Sequence, residues 1–116
     1  MSKFEKEFED FFNEKKLKFI KNDRLNKGTP DFSFKVGKST LVLFLHGCYW
    51  HGHNCKEWKL NNINLSKQAV TMRNDIEIRR YFLKKEGFFY LRCWECEFNK
   101  SKDYYLNKIY NIIINF

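Results

Sequence analysis

Proline and glycine are scarce. Pro30 is the single proline among 116 residues and there are 5 glycines, which excludes collagen-like and Gly/Pro-rich linker chains. Long apolar runs are missing too. The run Leu41 to Leu45 falls far short of the roughly 20 residues of a membrane helix, so no membrane span is expected. The amino end, Met-Ser-Lys-Phe-Glu-Lys, is charged and has no apolar signal region. There is no internal repeat and no low-complexity tract. The expectation is a soluble, cytoplasmic protein whose residues 1–116 form one domain. Acidic residues are the other shortage. Asp plus Glu number 14 against 22 Lys plus Arg, a net charge of +8. Such an excess suits a polyanionic partner, nucleic acid above all, provided folding gathers the charges into a patch. Cysteine is modest at 4. Disulfides are rare inside cells, so these thiols are expected to be metal ligands or core residues.

What is abundant is aromatic. Phe, Trp and Tyr make up 19% of the chain, 13 of them Phe, which points to a bulky, sheet-rich core. Phe4, Phe8, Phe11 and Phe12 form one stripe of a helix over residues 3 to 16, with Ser2 and Glu5 in the pattern of a capping box. Leu17 to Lys21 reads as a short strand and 22 to 29 as a loop. Asp31 to Val36 alternates, and Gly37-Lys38 suits a tight turn into the apolar strand Leu41 to Leu45. That hairpin geometry places Asp31 beside His46. Residues 56 to 65 are polar and loop-like. A helix runs from Ser66 to about Glu86, with Gly87 as its C-cap, then a strand Phe88 to Trp94 closed by Glu95-Cys96. A terminal helix covers Ser101 to Ile114. The order α-β-β-β-loop-α-β-α predicts an α/β fold with a mixed β-sheet flanked by helices.

Just past the strand Leu41 to Leu45 comes His46-Gly47-Cys48-Tyr49-Trp50-His51-Gly52-His53-Asn54-Cys55. Sites commonly sit beyond the C-terminal ends of sheet strands. Zinc takes four soft or borderline ligands in a tetrahedron. With Cys93-Trp94-Glu95-Cys96 added, two sets are open: all four cysteines, or Cys48, His53, Cys55 and Cys96. Cys93 within a strand and Cys96 just past its end need not point the same way. Hydrolysis of a phosphodiester needs more than zinc: a carboxylate for a cation such as Mg²⁺, and a base near neutral pH. Asp31 is the carboxylate near the turn, and His51 and His46 are the available bases.

Three stretches together, Gly28-Thr29-Pro30-Asp31-Phe32, Leu45 through Cys55 and Cys93 through Cys96, resemble the very-short-patch repair (Vsr) DNA mismatch endonucleases. The resemblance runs from Glu5 to Cys96 in the same order and at similar spacing. It implies a restriction-endonuclease-like core with a structural zinc site and an Mg²⁺-dependent nick in duplex DNA at T:G mismatches. Residue by residue, it implies that Asp31 and the Leu45 carbonyl bind Mg²⁺, that His51 is the general base, that His46 supports the phosphate and that Glu5 belongs to the active site. It implies Zn²⁺ on Cys48, His53, Cys55 and Cys96, and DNA contact by Tyr49 and Trp50 as wedges in the base stack. Asp75 matches an acidic position that some related endonucleases use. The superfamily's second acidic residue and lysine on the strand after Asp31 are missing here, as they are in the Vsr branch, which uses histidine instead. The stretch 61–66 has no tryptophan where relatives carry a third wedge residue; Asn64 lies near that position. The expected partner is double-stranded DNA, bound by a monomer, with mismatch-repair proteins as further partners. Two other readings stay open: a restriction or homing-type endonuclease without mismatch selection, and a zinc-stapled DNA-binding module without cleavage.

Overall fold

The phenylalanine stripe builds the first helix. A computed structural model describes residues 2–25, 28–47 and 66–116, with 66–73 described by backbone alone. In it α1 spans Lys3–Glu14 and buries Phe4, Phe8 and Phe12. Ser2 caps it, its Oγ accepting from the Glu5 N–H at 3.1 Å. The helix stops two residues before the predicted end. Lys16 adopts φ 59, while Lys16 N–H donates to Asn13 O and Leu17 N–H to Phe12 O. That pair of bonds is a Schellman closure, which satisfies the last carbonyls and turns the chain.

The predicted strand from Leu17 contracts to β1, Ile20–Lys21. Leu17 and Phe19 instead pack against the core. β2, Phe32–Val36, and β3, Ser39–His46, form the expected antiparallel hairpin, in register Phe32↔Leu43 and Phe34↔Leu41. Gly37 takes φ 62 in the turn, a left-handed conformation that costs glycine little. β3 reaches His46 because it pairs in parallel with β4, Phe89–Trp94, up to His46↔Trp94. Between these strands lies α2, Ser66–Lys85. Its end at Gly87, φ 93, agrees with the predicted C-cap. After β4 come a short α3, Glu95–Lys100, which the sequence pattern did not separate, and α4, Lys102–Ile114.

The sheet order is β1-β2-β3-β4. Strand alternation divides the core between its faces. Phe32, Phe34, Leu41, Leu43 and Cys93 pack with the α1 phenylalanines, Phe98 of α3 and Ile109 and Ile113 of α4. Val42 and Phe44 point the other way and pack with Leu83 of α2. Burying each such side chain is worth about 1.5–3 kcal/mol before entropy is counted. This four-stranded mixed sheet with helices on both faces fits a restriction-endonuclease-like fold. Its topology also sets the site. β3 and β4 end together at His46 and Trp94, and antiparallel β2 begins at the same edge, so Asp31 arrives there just before Phe32.

Candidate active site

Hairpin pairing continues one step past β2. The Asp31 N–H donates to Leu43 O at 3.0 Å, and its carbonyl accepts from Asn22 N–H at 3.1 Å. With its backbone fixed on both sides, the side chain folds back onto β3. Asp31 Oδ2 accepts from the Leu45 N–H at 2.7 Å, a short charge-assisted bond. Burial pushes the Asp31 carboxyl up to about 6, and nearby Glu5 adds to the rise. The Leu45 bond and the Lys21 ammonium act in the opposite direction.

His46 is buried at 5% exposure. Its ring lies 4.9 Å from that of Trp94 and stacks on Phe44 at 6.0 Å. Its Nε2 lies 3.5 Å from the Tyr90 hydroxyl, the outer limit of a hydrogen bond. Thr29, Asp31, Phe44, Leu45, His46, Ile76, Arg79 and Tyr90 line one cavity of about 170 Å³. The hairpin argument therefore placed Asp31 and His46 correctly: they share a wall, joined through Leu45.

Glu5 approaches from α1. In a complete capping box its carboxylate would fold back to the Ser2 N–H. Here it sits 3.6 Å from the Lys21 ammonium, with Glu9 at 3.0 Å on the same nitrogen. The Glu9 hydrogen bond, aided by the charge of Glu5, holds Lys21 above the ordinary lysine value. Ser2 supplies the cap and Glu5 joins the electrostatic surroundings of Asp31.

The thiols of β4 and α3 separate. Cys93 lies in the large phenylalanine core, and burial pushes its thiol up to about 12. Cys96 packs instead with Ile76 and Trp94, on the side of α2. Cys48, Tyr49, Trp50, His51, His53 and Cys55 lie outside the described residues. Asp75 is exposed on α2. Tyr90 and Arg79 were missed from sequence. Tyr90 was hidden in a strand read only as apolar, though parallel pairing puts it opposite Val42 and two residues from the Phe44 row. Arg79 had a signal: Ile76 and Leu83 mark the sheet-facing stripe of α2, and arginines occupy the positions between them where apolar residues would be expected.

The comparisons with known proteins agree with this picture. The family model described as DNA mismatch endonuclease Vsr matches residues 2–57. The type II nicking enzyme V.NmeAIP of Neisseria meningitidis is 32% identical over 84 residues, 70% of this chain and 59% of that protein. The DNA mismatch endonuclease Vsr of Escherichia coli is 32% identical over 87 residues, 69% of this chain and 52% of that protein.

This chain resembles the Vsr family over 69% of its length.

A further relative, the type II nicking enzyme V.XorIIP of Xanthomonas oryzae, is 37% identical over 73 residues, 60% of this chain and 52% of that protein. The chain spans about half the length of the relatives it matches. The Vsr match includes Asp31 and His46, which line the cavity, and Glu5, whose charge acts on Asp31. Among the described residues no helix is long and apolar enough to cross a membrane.

Proposed function

We propose that this protein is a divalent-cation-dependent DNA endonuclease that nicks duplex DNA, with T:G mismatches as its substrate, Mg²⁺ as its catalytic ion and a structural zinc. The observation that carries this reading is the Asp31–Leu45 clasp beside His46, at the edge where β2, β3 and β4 meet. A carboxylate that burial drives toward neutrality is well suited to a cation, which would restore its charge. Mg²⁺ takes oxygen ligands and keeps several waters. A cavity of about 170 Å³ has room for such an ion with water around it. Asp31, with the Leu45 carbonyl, would hold the ion.

Bound there, Mg²⁺ would neutralise charge developing on the phosphate oxygens. The chain's own groups do the rest. His51 accepts the proton of the attacking water, whose oxygen forms a bond to phosphorus as the P–O3′ bond breaks. The O3′ leaves and gains a proton, and the new end is a 5′-phosphate. His46, held by Trp94, Phe44 and Tyr90, presents its ring to the reacting phosphate. Glu5 adds negative charge near Asp31. Cys48, His53, Cys55 and Cys96 hold zinc, while Tyr49 and Trp50 enter the base stack beside the mismatch. The separation of Cys93 from Cys96 into different clusters supports the mixed zinc set over four cysteines.

Nicking of supercoiled plasmid, and of matched and T:G-mismatched duplexes, with and without Mg²⁺, tests this. Mg²⁺-dependent nicking favouring T:G supports it. Equal nicking of both duplexes leaves an endonuclease without mismatch selection, and binding without nicking leaves a DNA-binding module.

A further inference from the structure

We propose that Arg79 is a phosphate-binding catalytic residue, holding a non-bridging oxygen of the scissile phosphate across the cavity from Asp31. The proposal rests on the nuclease reading above. It starts from three arginines, Arg79 and Arg80 on α2 and Arg92 on β4, of which Arg79 lines the cavity. Glu77 takes two of them: Arg92 at 2.7 Å and Arg80 at 3.2 Å. Both also lie over rings, Arg80 above Tyr90 and Arg92 above Trp94, each 5.9 Å from the centroid. Those two guanidinium groups share one carboxylate and are held in place by it.

Arg79 differs. It lines the cavity with Asp31, His46 and Tyr90, is exposed, and has no carboxylate partner among the described residues. Helix geometry accounts for its aim. Ile76 is buried against Trp94 and Cys96, Leu83 is buried against Val42 and Phe44, and a residue three after Ile76 lies on nearly the same face. The helix is therefore clamped on both sides of Arg79 by apolar contacts, and it delivers to the mouth of the site a cation with no carboxylate partner among the described residues.

The cavity wall then carries the parts a phosphate needs. Asp31 marks the side of the divalent ion. The His46 ring and the Tyr90 hydroxyl lie along the wall, 3.5 Å apart. Arg79 closes the side toward α2 with a planar fork that matches two phosphate oxygens. Three negatively polarised equatorial oxygens need more than one cationic neighbour as charge builds, and a positioned guanidinium stabilises that charge without reorganising. Lysine would supply charge without the fork.

The test compares wild type, Arg79→Ala and Arg79→Lys by single-turnover nicking of the favoured duplex in Mg²⁺, and by duplex binding in Ca²⁺ across a salt series. Melting temperature should not change, because the side chain is exposed. Arg79→Ala is expected to slow nicking at saturating DNA by about 10²-fold, the usual loss for one donor to developing charge. Arg79→Lys should recover part of it. The slope of log K against log salt should become less steep by about one phosphate contact in Arg79→Ala. Wild-type nicking together with an unchanged slope in Arg79→Ala overturns the assignment. If wild-type protein nicks nothing, the nuclease reading fails and the slope decides Arg79 by itself: a loss of about one phosphate contact supports a phosphate-binding residue, and no change overturns it.

Discussion

Asp31 Oδ2 and the Leu45 N–H lie 2.7 Å apart. This bond ties the residue preceding β2 to the end of β3. The same side chain lines the cavity that holds His46. It fixes the carboxylate in a place where burial disfavours its charge, a sacrifice of stability that a bound cation would reverse.

That cost gives a pH prediction. The carboxyl titrates near 3.8 when unperturbed and at about 6 in the fold. As pH rises between those values the unfolded chain loses its proton first, so the folded state holds more protons and stability falls. Above about pH 6 the full cost, on the order of 2–3 kcal/mol, is present. In Mg²⁺-free buffer Asp31→Asn should therefore melt higher than wild type at pH 7.5, and this gain should vanish near pH 4. Added Mg²⁺ should raise the wild-type melting temperature and leave the variant unmoved. Paired melts at the two pH values check this, and a variant that melts lower at pH 7.5 would contradict it.

Ser2 and Glu5 should separate stability from activity. Ser2→Ala removes the cap on α1 and should cost about 1 kcal/mol, with kcat unchanged. Glu5→Gln leaves the cap in place, since the bond uses the Glu5 backbone, and should lower kcat. Urea unfolding and single-turnover nicking of both variants decide it. The reverse pattern would return Glu5 to a capping role.

The two described cysteines should behave differently. Cys93→Ala should keep its zinc and lose about 1 kcal/mol from the phenylalanine core. Cys96→Ser should lose zinc and, with it, most of the folding free energy a structural zinc supplies. Metal content of the purified proteins reads this directly. Zinc lost in Cys93→Ala but kept in His53→Ala would favour four cysteines.

The acid–base roles predict separable pH behaviour. His51→Ala should slow nicking by about 10²- to 10⁴-fold and remove the acidic limb of the pH–rate profile, while DNA binding in Ca²⁺ persists. His46→Ala should also lower the melting temperature, because that ring is buried between Trp94 and Phe44. Near-wild-type rates in His51→Ala, with rates lost in His46→Ala, would move the base to His46.

Much of this architecture was legible because its signals are periodic. The Phe4-Phe8-Phe12 stripe, the alternation of Phe32 and Phe34, and Gly37 in the turn all act locally, and each element formed where its pattern lay. The hairpin then carried Asp31 to the end of β3 without further information. What escaped depends on contacts distant in sequence. Lys16 ended α1 early by entering a left-handed conformation that lysine does not advertise. The outward turn of Glu5 toward Lys21 needs β1 beside α1, which no capping pattern reveals. Tyr90 joins His46 only through the parallel β3–β4 register, and Arg79 reaches the cavity only because Ile76 and Leu83 fix the rotation of α2.

The most direct measurement is single-turnover nicking of a T:G-mismatched duplex by wild type and Asp31→Asn, with and without Mg²⁺, alongside DNA binding by both proteins in Ca²⁺. The account predicts Mg²⁺-dependent nicking by wild type and none by Asp31→Asn at any Mg²⁺ concentration, with DNA binding retained. Nicking by Asp31→Asn at the wild-type rate, or equal wild-type rates with and without Mg²⁺, would contradict it.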